Sequence, residues 1–399
     1  MGSERTSVIG EFVHRSVNCK IILRAGAIAD LPAELSLLGC SRPALLSGPG
    51  VKDSEVGARV RAALSPFDVT LFDAIPAHSS VAIVQQIARQ AAAANIDCIV
   101  AAGGGSASDS AKAVALLLAE GGTLAQHATR FIPPATVIIP ELHKPKLPIV
   151  AIPTTASAAE VTPSFGIRQD GEIEAIKLLF WDLRVASRVI LIDPEANVSV
   201  PGRVMLSTGM NGLAHCLEGL YSTTRTPLTT ALAIEGTRLF LRALRDVARD
   251  PMSIQFRADI LTAAHLSGQV LLNARTCVHH AICHVLGALT GAAHGAVNSV
   301  MLPHALAFNL PAADEPLAQA ATALGIQGGS AAVRARKLVD AVRELQQDIG
   351  VPSRLRDLGF EKALLSEVAG KVMGERGLAF NPRRVAGPQE IEALLEAAW

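Results

Sequence analysis

The rhythm of apolar positions changes near residue 195. Before it, short unbroken apolar runs alternate with helical stretches. Residues 43–47 read as a strand that ends at the turn Gly48-Pro49-Gly50. Residues 96–102 form a continuous apolar run, suited to a parallel strand covered on both faces. Residues 147–152 and 189–192 are two more strands, and residues 80–95 and 108–119 are helices. Strand, glycine turn and helix in repeating order predict a parallel α/β sheet. After Asp193-Pro194 strand-like runs nearly vanish. Helices are predicted over 207–221, 228–246, 254–273, 278–289 and 330–349. The pattern therefore predicts an α/β domain over residues 1–195 and an all-helical domain over residues 196–399.

Composition supports that division. A chain of 399 residues, half of them hydrophobic, is too long for one ordinary core. Its 36 basic and 36 acidic residues cancel. No excess charge directs it to nucleic acid or to an anionic membrane, and little charge keeps copies apart, so a homodimer is expected. The cysteines, among them Cys216, Cys277 and Cys283, form no CxxC pair; free thiols in a reducing, cytoplasmic compartment are expected. No apolar run is long enough for a membrane helix, and residues 1–11 lack the apolar centre of a secretory leader. Met1-Gly2 with Thr6 fits the loose myristoylation pattern, which arises often by chance.

Two turns offer binding chemistry. Gly103-Gly104-Gly105-Ser106-Ala107-Ser108-Asp109 follows the buried run and opens a helix. Glycines let backbone approach a ligand closely, and a helix N-terminus presents free N–H groups to phosphate. The spacing is not GxGxxG, so the usual dinucleotide fingerprint is not met. An ordinary capped turn would look similar. Pro153-Thr154-Thr155-Ala156-Ser157 also follows a strand, and its hydroxyls suit ribose or phosphate as well as a plain turn. Together the turns point to one crevice at the carboxyl ends of the sheet.

Seven of the eleven histidines fall between residues 215 and 304. Asn211 and His215 share a helix face, as do His280 and His284, and His294 lies in a glycine-rich turn. Any one of them is compatible with a structural role. The set has the spacing of an active site whose imidazoles converge from two helices.

The segments 103–112, 153–162, 209–218 and 280–304 resemble the successive motifs of iron-type alcohol dehydrogenases. That resemblance implies the dehydroquinate synthase-like fold, with an N-terminal domain that binds NAD(P) and a helical domain that holds a divalent metal through one Asp and three His. The His positions match His215, His280 and His294. The Asp position is Asn211, and an amide oxygen is a neutral, poorer ligand than a carboxylate. In this and in the Val278-His279-His280 and Asp182-Leu183-Arg184-Val185 segments, the chain is similar to the metal-independent maleylacetate reductases.

The resemblance implies NADH or NADPH as cofactor, no metal, and hydride transfer to a conjugated keto acid, maleylacetate to 3-oxoadipate. Ser47, Gly48, the three glycines 103–105, Ser106 and Asp109 would hold the cofactor, with Thr154, Thr155 and Lys177 nearer the nicotinamide. The turn after residues 43–47 has no acid before Asp53, so a 2′-phosphate is not repelled. His280 and His284 lead as donors to the developing enolate, with Asn211, His215, His279 and His294 lining the pocket. Arg275, Lys177 and Arg184 are candidates for the substrate carboxylates. Ala156, where that branch has a tyrosine, and the apolar Lys177–Trp181 segment favour a less polar or differently shaped substrate. A metal-dependent alcohol or aldehyde dehydrogenase, a non-redox lyase on the same scaffold and an inactive binding protein are the alternatives.

Overall fold

The structure is a computed structural model and describes residues 11–77, 79–133, 136–169 and 176–399. The N-terminal myristoylation pattern lies outside the described residues. Six parallel strands form the central sheet: β1 (Lys20–Leu23), β2 (Pro43–Ser47), β3 (Thr70–Phe72), β4 (Cys98–Gly103), β5 (Ile149–Pro153) and β8 (Val189–Ile192). Their order is β1-β8-β5-β4-β2-β3, every neighbour parallel. β2, β4, β5 and β8 are buried along their whole length, which is why their sequences lack polar alternation. Crossover helices cover the faces: α1 (Leu31–Leu37), α2 (Glu55–Leu64), α3 (Val81–Ala93) and α4 (Gly105–Glu120). An antiparallel pair, β6 (Ser164–Gln169) with β7 (Ile176–Trp181), lies outside the main sheet. The sequence pattern did not single it out.

Register places the functional turns side by side. Ser47 pairs with Ala102, and Gly103 pairs with Pro153. The turns that follow β2, β4 and β5 therefore emerge together at the carboxyl edge. Beyond β8 the described residues are helical: α5 (Gly202–Tyr221), α6 (Pro227–Arg249), α7 (Ile254–Asn273), α8 (Val278–Thr290), α9 (His294–Ala323), α10 (Ala331–Ile349), α11 (Leu365–Val372) and α12 (Pro388–Ala397). α9 was not among the expected helices. It contains Pro303, Pro311 and Pro316, each of which removes a backbone donor, and burial along its length keeps it continuous. Among the described residues, no helix is long and apolar enough to cross a membrane.

The two halves are stitched at the threonine turn. Ala156 N–H donates to Thr208 on α5 (3.0 Å), and Asn197 donates to the Thr154 carbonyl (3.1 Å). The buried Arg257 guanidinium in turn donates to Asn197 (3.2 Å) and to the Val200 carbonyl (2.8 Å).

Candidate active site

A cleft of about 1020 Å³ runs between the sheet edge and the helices. Its floor at the sheet end is glycine by necessity. Gly103 has φ +152°, and a Cβ there would lie 2.9 Å from Ala107 Cβ. A Cβ on Gly104 would lie 2.9 Å from Thr155 Cγ2. The N-cap of α4 is Gly104, which has no side chain to cap it, and the first turn of the helix opens on the cleft. Gly48, Gly105, Ser106, Thr154 and Thr155 line the same wall.

Two expected cofactor residues are placed differently. Ser47 is the buried last residue of β2 and does not line the cleft; its carbonyl accepts from Ile75 N–H. Asp109 lines the cleft, but its carboxylate accepts from Gly166 N–H (3.1 Å) and lies 3.8 Å from Lys112. A carboxylate is acceptor-only and repels phosphate, so Asp109 ties α4 to β6 instead of holding a pyrophosphate. Burial pushes its pKa up against the pull of Lys112 and Lys177. Lys112 itself is buried and donates to the carbonyls of Ala159 and Ser164, locking α4 against the threonine turn.

The other wall is built from α5, α8 and the start of α9. Asn211, His215, His280, His284 and His294 all line it. The His215 and His280 rings stack with centroids 4.7 Å apart and planes 23° from parallel. His284 and His294 stack at 6.0 Å. His279 does not line the cleft. It points into the core, where Nε2 donates to the Asn298 carbonyl (3.0 Å). Adjacent helix positions face about 100° apart, so His279 and His280 cannot share one face.

Glu218, which the sequence reading left without a role, organises this wall. It lies on α5, seven residues after Asn211, and is fully buried. Its Oε1 accepts from the N–H groups of Cys277 (2.9 Å) and His279 (3.1 Å), and so caps the start of α8, where the Cys277 side chain makes no capping bond. Its Oε2 accepts from His280 Nδ1. Burial pushes the Glu218 carboxyl up, but His280 and the His279 interactions outweigh it and hold it well below the usual range. With Nδ1–H given to Glu218, a neutral His280 carries its lone pair at Nε2. Asn211 Oδ1 lies 3.1 Å from that nitrogen, and a half-turn of the amide presents an N–H to it. His284 repeats the design: its Nδ1 is 3.2 Å from Glu375.

Burial keeps these imidazoles uncharged. It pushes His280 down to about 4, with Glu218 opposing, and lowers His284 against Glu375. It also holds His215 and His294 well below the ordinary range, helped by neighbouring imidazoles and, at His294, by Lys177. His279 goes the other way: Cys283 and Glu218 outweigh burial and raise it well above. The imidazoles and the Asn211 amide facing the cleft on this wall are therefore neutral.

Of the cations expected to meet substrate, Arg275 and Lys177 line the cleft and Arg184 does not. Arg184 pairs with Asp182 (3.0 Å) and donates to the Leu142 carbonyl, which fixes the turn after β7. Arg376 lines the cleft unannounced, from an irregular segment with no periodic signal. Glu218 did leave a signal. It is the one acid in the apolar run 209–221 and falls on the face of Asn211 and His215.

Comparison with known proteins agrees with this architecture. The chain is 32% identical to the maleylacetate reductase of Sphingobium indicum, over 97% of each protein. It superposes on 1,3-propanediol oxidoreductase with a TM-score of 0.90, at 29% identity and over 98% of this chain and 100% of that one. The maleylacetate reductase from Agrobacterium tumefaciens gives a TM-score of 0.78, at 27% identity and over 98% of each chain. Residues 18–194 match the iron-containing alcohol dehydrogenase family, and residues 205–399 match the C-terminal region of the Fe-containing alcohol dehydrogenase family. This chain belongs to the iron-containing alcohol dehydrogenase family.

Proposed function

We propose that the protein reduces maleylacetate, or a closely related conjugated keto acid, to the saturated keto acid with NADH or NADPH and without a metal. The observation that carries this reading is the neutral polar wall around Asn211. A divalent cation there would have an amide and three imidazoles as ligands, with no anionic ligand to offset its desolvation. The geometry supports the same view. Among the described residues, the groups of His, Cys, Asp or Glu whose ligand atoms lie within 4.8 Å of one another are Cys40–Asp97–Cys98 and Glu218–His279–His280. His215, His280 and His294 form no such group, and the first two are stacked face to face.

The glycine wall fits a dinucleotide, because a Cβ at Gly104 would fill the space beside Thr155. Gly103, Gly104, Gly105, Ser106, Thr154 and Thr155 would hold it, and its reduced nicotinamide supplies the hydride. The remaining tasks belong to the chain. As hydride adds to the alkene carbon β to the ketone, negative charge gathers on the ketone oxygen. Neutral donors of the wall, the Asn211 amide first, stabilise that enolate. The reaction also consumes a proton. His284 is arranged to deliver it: Glu375 holds Nδ1–H, so Nε2 is the working atom, and the imidazole gives up the proton there when it has first taken one from solvent as the minor, protonated form. His280 acts through Asn211, fixing the amide that meets the substrate.

We infer a division of the chain near residue 195, and a cytoplasmic homodimer. The edge strand β1 supports a dimer, with Ile21 (42%) and Leu23 (38%) exposed beside a backbone edge that no strand pairs among the described residues. One observation favours a second reading, a metal-dependent alcohol dehydrogenase: the higher TM-score with 1,3-propanediol oxidoreductase. Initial rates with maleylacetate and with short aldehydes, using NADH and NADPH before and after chelation, separate the two. Maleylacetate turnover that survives chelation supports the proposal; aldehyde turnover lost with the metal refutes it.

A further inference from the structure

Arg275 and Arg376 form a second feature of the cleft that the hydride chemistry leaves unused. Arg275 follows α7, and its N–H donates to Thr224 Oγ1 (2.9 Å), which fixes the backbone there. Arg376 opens the short turn Arg376–Phe380. That turn is fastened by its last residue, whose carbonyl accepts from Thr223 N–H (3.0 Å). Both side chains line the cleft beside His280 and His284, and both also line a smaller outer pocket of about 410 Å³. They are the two residues common to the cavities, so they form the partition between them.

Neither guanidinium is in contact with a protein anion, although the charge of Glu375 acts on Arg376 from beyond ion-pair distance. Among the described residues, neither makes an ion pair or a side-chain hydrogen bond with a carboxylate, and the nearest acid in sequence, Glu375, gives its oxygen to His284. Arg275 instead lies over the Trp181 ring, 5.5 Å from its centroid, with Arg15 at 5.8 Å from the same ring. That cation–π contact leaves the guanidinium N–H groups unspent among the described residues. Burial, then the neighbouring Arg376 and Arg15, pushes Arg275 down to about 10. Two neighbouring, part-buried cations that repel each other cost stability unless an anion joins them.

We propose that Arg275 and Arg376 form an anion subsite that receives the carboxylate of a dicarboxylate substrate remote from the reacting double bond, and so set the enzyme's preference for diacids. This rests on the keto-acid reading of the same cleft. Two guanidinium forks match the two oxygens of a carboxylate, and the subsite adjoins His284, the proton donor. A monocarboxylate or an aldehyde of equal length would leave the two cations facing each other without an anion.

The test compares adipate with hexanoate as ligands of the NADPH-loaded protein by titration calorimetry, alongside turnover of maleylacetate. Wild type should bind adipate at least about 10-fold more tightly than hexanoate. Arg275→Gln and Arg376→Gln should each bring that ratio below about 3, Arg376→Lys should restore part of it, and NADPH affinity should stay within about 2-fold. A wild-type ratio near 1, or a ratio unchanged in both Gln variants, overturns the subsite. So does loss of NADPH binding in step with adipate, which would assign the arginines to a cofactor phosphate. Diacid preference that collapses in the variants, in a protein that does not turn over maleylacetate, removes the keto-acid reading and leaves the subsite standing. Maleylacetate turnover with kcat/KM untouched by either Gln does the reverse.

Discussion

Glu218→Gln changes one atom of the buried wall and isolates what the carboxylate does. Both backbone donors, Cys277 and His279 N–H, go to Oε1, so a glutamine oxygen at that position keeps both bonds. Only Oε2 is replaced, by an NH2 that faces His280 Nδ1. Two donors cannot share a hydrogen bond, so the imidazole proton must move to Nε2, opposite Asn211 Oδ1. The amide then accepts where it previously donated and is turned away from the substrate oxygen. Stability should fall modestly, by about 1–2 kcal/mol, since charge-assisted bonds become neutral ones while none is lost outright. Turnover should fall further, on the order of 10²-fold in kcat, because the change reverses the donor pattern at the enolate and leaves the binding walls alone. Stopped-flow reduction of maleylacetate gives kcat, and NADPH fluorescence gives cofactor affinity, which should be unchanged. A variant that is as stable as predicted yet turns over within about 2-fold of wild type would refute the argument that Glu218 acts through the His280 tautomer.

The other expectations concern the proton, the metal, the cofactor and acid stability. His284→Ala should lower kcat by about 10²-fold at neutral pH with little change in NADPH affinity, the cost expected for losing one positioned acid; full turnover would reassign the donor. Because burial lowers the His284 pKa, its protonated fraction drops about tenfold per pH unit above that value, so log kcat should decline as pH rises through neutrality; a flat profile with proton transfer limiting the rate counts against it. Asn211→Asp supplies the missing anion and should raise Zn²⁺ affinity measurably in calorimetry while wild type binds weakly; equal binding would show that charge at residue 211 is not what decides. Gly103→Ala meets both the φ of +152° and Ala107, so KM for NADPH should rise about 10-fold or more. His280 is neutral in the fold down to about 4 but titrates near 6.5 when unfolded. Its contribution to stability is therefore present above pH 6.5 and lost as pH falls toward 4, about 2 kcal/mol by pH 5; thermal midpoints that do not fall over this range would contradict its burial as a neutral group.

What the sequence made legible follows the distance over which each signal acts. The runs of β2, β4, β5 and β8 were readable because a strand buried on both faces must be apolar at every position. The glycine turn was readable because only a residue without a Cβ fits at Gly103 and Gly104. The histidine wall was readable because residues 211 and 215, and 280 and 284, share faces by helical spacing alone; His279, taken from the family resemblance, turns inward, as its place next to His280 on the helix requires. α9 was hidden by its own prolines, whose local cost is outweighed by packing that no window of sequence contains.

The residues that escaped notice share a physical cause. Glu218 acts on His280, sixty-two positions away, and Arg376 meets Arg275 across a hundred, so neither partnership leaves a periodicity. Arg184 and Asp109 misled for the complementary reason: a charge in a promising segment was satisfied by a close neighbour in space, Asp182 for the one and the Gly166 N–H for the other. A charged side chain in a cleft is free for a ligand only when no protein partner has claimed it. By that criterion Arg275, a candidate from the sequence, is kept and gains Arg376 beside it, while Arg184 is set aside. The same criterion explains Asn211. A carboxylate there would be an anion awaiting a cation, whereas the amide, held by His280 with the Glu218 charge kept behind it in the core, can meet a substrate's charge with fixed dipoles.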